Sequence, residues 1–166
     1  LRPWKVLNQV GFLITVGIAG GYVLLHANDT QQDQIAILVV LHSLLFIWLA
    51  FRFSQLLRKQ DLHGFSLQPS LDLGLLFGAP LLAYACLYLI YFEQTMMQAG
   101  LSAGYAVLYA VLYVLAKQQQ QIGWIKQSYL ALSLIFAAFI PVIILPAEWG
   151  VMGWAILGIA MLVIAL

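Results

Sequence analysis

Six apolar runs, each near twenty residues and almost free of charge, fill this chain: Trp4–Leu25, Ile35–Phe53, Leu71–Phe92, Thr95–Ala116, Ile125–Leu145 and Trp149–Leu166. A helix needs about 20 mainly apolar residues to cross the hydrocarbon core of a bilayer. The runs are continuous, whereas the strands of a membrane barrel alternate between lipid-facing and lumen-facing residues. With 64% hydrophobic and 8% charged residues, the chain lacks the polar surface of a soluble domain, where about 25% of residues are charged. The expected fold is all-α: one polytopic membrane module over residues 1–166, with six transmembrane helices, the sixth short enough to be truncated. The runs are too long and too many for a cleaved signal peptide. Leu1 is not Met and Leu166 falls inside an apolar run, so the chain reads as a fragment of a longer multi-pass protein.

The basic residues give an orientation. Arg2 and Lys5 precede or open the first run; Arg52, Arg58 and Lys59 lie at or after the end of the second; Lys117 and Lys126 lie between the fourth and fifth. All seven fall on one side, and the opposite loops carry Asp29, Asp33, Glu93 and Glu148. The positive-inside rule places that side, and both ends of the chain, in the cytoplasm. Trp4, Trp48, Trp124, Trp149 and Trp154 fall near run ends, as an aromatic belt at the headgroups would. Between runs, Ser54–Ser70 is expected as the longest loop, with Leu56, Leu57, Arg58 and Lys59 either along the headgroups or in a frayed helix end. Ser70 and Asp72 suit an N-cap and a first-turn anion. Glu93-Gln94 leaves room only for a tight antiparallel pairing of the third and fourth helices. The glutamine run before Ile122 reads as a solvated loop, and the Asn28-Asp29-Thr30 sequon lies too near the membrane to carry weight.

Several function classes fall away. Net charge is +1, and no basic cluster with interleaved aromatics appears, so a nucleic-acid partner is not expected. The single Cys86 allows no intrachain disulfide and no cysteine-based metal site, and no cofactor or metal is expected. No Asp, Glu, Lys or Arg sits deep in any run. Pumps, ion-coupled transporters and voltage sensors depend on such groups. His42 is the one ionisable candidate, about 10 Å below the outer surface, with Tyr84 at a similar depth of about 10 Å on the third helix. A His42–Tyr84 hydrogen bond is conceivable if those helices touch, with His42 either a relay or ligand residue or, as favoured, a neutral histidine satisfied by a neighbour.

Tyrosines form two stripes, Tyr84/Tyr88/Tyr91 and Tyr105/Tyr109/Tyr113. Buried phenol hydroxyls need partners, so these faces should turn toward protein or a polar cavity. His42, Tyr84, Tyr88, Tyr105 and Tyr109 are the candidate substrate-lining residues, with interhelical packing the blander alternative for the tyrosines. Small-residue motifs recur as Gly17-x-x-x-Gly21, Gly74-x-x-x-Gly78 and Gly100-x-x-x-Gly104; each lets a second backbone approach. Pro80 and Pro141 lie inside the third and fifth runs and should kink them. Gly100-Leu101-Ser102-Ala103-Gly104 also spells the G-x-S-x-G elbow of hydrolases, but that motif needs a preceding strand and an oxyanion hole. Here a helical run surrounds it.

Gly11 to Ala19, then Leu76-Phe77-Gly78-Ala79-Pro80-Leu81, then Ile140-Pro141-Val142 with Trp149 and Trp154-Ala155, resemble in order and spacing a bacterial multi-pass membrane family, domain of unknown function 2339. That resemblance covers nearly the whole chain. It implies a bacterial cytoplasmic (inner) membrane setting and an envelope-related role, with further helices of a longer chain as neighbours. Relatives usually carry W-A-L-E-G-A after the last tryptophan. This chain has Leu157 where that glutamate would stand, so any chemistry the glutamate performs is lost here. Two functions are expected from different classes. One is a non-enzymatic core that handles an apolar or amphipathic envelope substrate; the other is a structural or assembly subunit binding other membrane proteins and lipids. A membrane-embedded transferase is weaker, because no buried catalytic carboxylate or histidine constellation accompanies it.

Overall fold

The computed structural model describes residues 2–26, 32–58, 69–118 and 123–165. Every regular element among them is helical: α1 (Arg2–His26), α2 (Gln32–Arg58), α3 (Pro69–Ile90), α4 (Thr95–Gln118), α5 (Gly123–Ile144) and α6 (Ala147–Ala165). Each helix falls on one apolar run. Three are long and apolar enough to cross a membrane over described residues: Gln32–Arg52 of α2, Thr95–Gln118 and Ile125–Ile144 of α5. Shorter apolar stretches are Val10–Leu25 of α1 and Leu76–Ile90 of α3.

Two boundaries differ from the sequence expectation. The loop expected from Ser54 begins later, because α2 continues to Arg58. Gln55, Leu56, Leu57 and Arg58 are good helix formers, and no glycine or proline stops them. The last basic residue expected there, Lys59, lies outside the described residues, as do the Asn28–Thr30 sequon and the glutamines at 119–121. Ser70 is not an N-cap, because α3 already starts at Pro69. Proline suits the first helical position: its φ is preset, and the N–H it lacks would have had no partner there.

The chain divides into two compact units, Leu1–Ile90 and Tyr91–Leu166. In the first, α3 packs against both α1 and α2. Phe12 of α1 and Phe46 of α2 meet edge to face with centroids 5.1 Å apart. The Phe12 ring also lies against Gly78 of α3, where a Cβ would stand 3.4 Å from it. Pro80 and Leu87 of α3 are fully buried.

The second unit is built on a seam between α4 and α5. On α4 the buried positions include Gln98, Ser102, Tyr105, Tyr109, Leu112 and Ala116, alternating four and three residues apart. On α5 the buried Ile125, Tyr129, Leu132 and Phe136 follow the same alternation. A four-three repeat keeps one stripe of each helix facing the other and seats knobs into holes. Aromatic rings fill the seam: Tyr105 and Tyr109 stack on Phe136 with centroids 4.9 and 6.0 Å away. Ser133 Oγ of α5 donates to the Ala106 carbonyl of α4 at 2.9 Å. The helix α6 is joined to α5 differently. A Cβ at Gly153 would stand 2.7 Å from Pro141 Cβ, so only a glycine lets α6 lie on the proline ring. Trp154 Nε1 donates to the Ala138 carbonyl at 3.0 Å, one turn before that ring.

Candidate functional site

The first unit contains a cleft of about 410 Å³ bounded by α1, α2 and α3. Its volume lies within the ~300–1,000 Å³ common to small-molecule sites. The reason for the space is legible in side-chain size. Where α3 faces it, Ala79, Ala83 and Cys86 recur at i, i+4 and i+7, and α1 adds Ala19 and Gly20. Those spacings put the small residues on one face, so the walls recede together. Phe12 and Phe46 line the same cleft. Along α1 the lining runs from Phe12 to Val23, about 16 Å at the helical rise. The rim is apolar and open, with Ile18 71% and Leu38 56% exposed.

No charged side chain lines the cleft among the described residues; its polar groups include Thr15, Tyr22, His42 and Ser43. Thr15 Oγ1 donates to the Gly11 carbonyl at 2.8 Å. His42 Nδ1 lies 2.8 Å from the Leu38 carbonyl. A carbonyl only accepts, so in the neutral ring Nδ1 carries the hydrogen and Nε2 presents a lone pair. Chemically the arrangement is an apolar trough with fixed hydrogen-bond acceptors on its wall.

Of the residues singled out from sequence, His42 lines this cleft. Its hydrogen bond runs back along α2 to Leu38 and not to Tyr84, because the carbonyl one turn earlier is the nearest acceptor a helical histidine can reach. Tyr84 is buried in the first unit, with its ring 6.5 Å from that of Tyr88, which is part exposed. Neither lines the cleft. Tyr105 and Tyr109 are buried in the second unit, where they serve the α4–α5 seam, not a groove.

A Cβ at Gly17, Gly21, Gly100 or Gly104 would meet no atom within 4 Å beyond the backbone of its own stretch of helix. On α4 the seam runs through Gln98 and Ser102; Gly100 and Gly104 are two residues further on, roughly 200° around the helix. On α1 the inward row is Phe12, Val16, Ala19 and Val23, which Gly17 and Gly21 flank. Gly78 does take a neighbour, the Phe12 ring. The surroundings of Gly74 and the side chain of Leu157 lie outside the described residues. Ser102 is fully buried and donates to the Gln98 carbonyl at 3.0 Å within its own helix, with helix on both sides, so the elbow geometry is absent.

Sequence reasoning passed over Thr15 and the Ala79/Ala83/Cys86 face, although their i, i+4, i+7 spacing was available. It also passed over Gly150 and Gly153, which are three residues apart and so escape a search for G-x-x-x-G. A Cβ at Gly150 would stand 3.9 Å from the Val142 Cα, which places both glycines on the stretch of α5 around Pro141.

No curated protein and no solved structure matches the chain. A family model described as "predicted membrane protein (DUF2339)" matches residues 1–166. The match agrees with three helices long and apolar enough to span a bilayer. By a match over its whole length, the chain belongs to the predicted membrane protein family DUF2339.

Proposed function

We propose that this is a six-span protein of a bacterial cytoplasmic membrane, with both ends of the chain on the cytoplasmic side. Its work is to hold or move an apolar or amphipathic envelope molecule without covalent chemistry. The observation that carries this reading is the 410 Å³ cleft, apolar along its walls and marked by one imidazole. Helices α1, α3 and α6 complete the six spans in this reading, and the one-sided placement of all seven Lys and Arg supports the topology. Two experiments test it. Reporter fusions after each helix should place the α2–α3 and α4–α5 connections in the cytoplasm and the other three outside; any reversal removes the topology. Protein extracted in mild detergent should carry a co-purifying amphiphile that is lost in His42→Phe and in Ala83→Phe. An empty protein, or one whose lipids are indifferent to both changes, removes the cleft as the working site.

A second reading, an assembly subunit, is favoured by the open space beside Gly100 and Gly104. There Gly104→Leu should leave the melting temperature unchanged, within about 0.5 kcal/mol, while abolishing association with membrane partners in cross-linking. Unchanged association would leave that face to lipid.

A further inference from the structure

The two polar groups of the cleft whose hydrogens are accounted for have spent them on their own helices. Thr15 gives its hydroxyl hydrogen to the Gly11 carbonyl, and His42 gives its Nδ1 hydrogen to the Leu38 carbonyl. What each has left to offer a ligand in the cleft is therefore a lone pair: Nε2 of His42 and the remaining acceptor capacity of Thr15 Oγ1. Ser43 and Tyr22, the wall's other two hydroxyls, each hold an interaction of their own. No Lys or Arg lines the cleft to neutralise an anion, and an unpaired charge in such a wall is strongly disfavoured.

Both acceptors also sit at one level. Phe12 of α1 meets Phe46 of α2, and the two helices then carry Thr15 and Val16 opposite His42 and Ser43. The acceptors thus stand close to the Phe12/Phe46 end, and from there toward Val23 and Ile35 the wall is apolar but for Tyr22.

We infer that the α1–α3 cleft selects neutral, single-chain-width amphiphiles whose head group donates a hydrogen bond to His42 Nε2, as a long-chain alcohol or a monoacylglycerol does. It discriminates against acceptor-only and anionic heads. This rests on the cleft being an amphiphile site and adds the chemistry of its ligand.

The probes are 1-dodecanol, dodecyl methyl ether and dodecanoate, which share a chain and differ in head group. Binding to the intact protein is read by native mass spectrometry from mild detergent. Position in the cleft is read by peptide mapping of N-ethylmaleimide alkylation at Cys86, which lines the cleft and is part buried. The alcohol should bind about three- to tenfold more tightly than the ether, the worth of one hydrogen bond, and slow Cys86 alkylation. His42→Phe should bring the alcohol down to the ether. Equal retention of alcohol and ether by the unmodified protein overturns the selectivity while leaving an amphiphile site. Tighter binding of dodecanoate overturns it in favour of an anion-pairing histidine. No retention of any probe overturns both the selectivity and the site. The alcohol–ether comparison needs no variant, so a misfolded His42→Phe does not blunt it.

Discussion

Along α4 and α5 the inward positions are Tyr105, Tyr109, Tyr129 and Phe136, and they close the interface. Along α3 a row with the same periodicity is Ala79, Ala83 and Cys86, and about 410 Å³ stays open in front of it. The two units thus spend similar spacing on opposite ends. In lipid no hydrophobic force drives helices together, and association comes from close packing and interhelical hydrogen bonds. The α4–α5 seam has both. Around the cleft, α3 packs against α1 and α2, with Phe12 on Phe46 and Gly78 among the contacts, but the small residues that face the cleft leave it open. A void beside lipid is tolerable when an apolar molecule can enter it, which a sealed void inside a seam does not allow.

If that contrast is right, truncation should hurt where rings interlock. Phe136→Ala should have the largest effect, about 3 kcal/mol of stability lost, at the low end for a buried aromatic because lipid removes the transfer part. Thermal unfolding in detergent reads it; a loss as small as a surface change would mean the seam is not what holds the second unit. Gly153→Ala comes next, at about 1–3 kcal/mol, because the new methyl must displace a rigid proline ring. Cysteine cross-linking between α5 and α6 should weaken with it. Ala83→Leu in the first unit should cost less than about 1 kcal/mol, since the cleft has room for the added carbons. It should nevertheless reduce dodecanol retention, and a large loss of stability would show the cleft to be closed. Ser102→Ala should be smallest, within about 0.5 kcal/mol and silent in any activity, because the hydrogen bond it gives to the Gln98 carbonyl lies inside one helix and alanine is no larger than the serine it replaces.

The helices were legible because their signal is local. A run such as Ile125–Leu145 has one stable form in a membrane, and α5 occupies Gly123–Ile144. Pro141 in α5 was likewise readable as a special point, but its partner was not. That Gly153 lies on it depends on the path of α6 after the turn at Pro146, where Trp149 N donates to the Pro146 carbonyl. The tyrosine stripes told which residues share a face and nothing about what faces them. For Tyr105 and Tyr109 the answer is α5, set by a four-three repeat that includes Gln98 and Ser102 as well as the rings. Counting glycines had the same limit: Gly100 and Gly104 share a face, as the spacing says, while the seam within this chain uses the other side of α4. At the candidate site the imidazole stood out as rare chemistry, whereas the cleft is made by what is missing from Ala79 and Ala83, and small residues in an apolar run look like any others.

Thr15, His42 and Ser102 each reach a carbonyl four residues back in the same helix. Ser133 and Trp154 instead reach a carbonyl of the preceding helix. The distinction bears on biogenesis. A segment whose polar hydrogens are already satisfied by its own backbone can leave the insertion machinery alone, with little penalty from the hydrocarbon around it. By that logic Thr15, His42 and Ser102 add little to the cost of placing α1, α2 and α4 in lipid, while Ser133 of α5 and Trp154 of α6 each depend on a carbonyl of the helix made just before. The order of synthesis, α4 then α5 then α6, is the order in which each acceptor is waiting when its donor arrives.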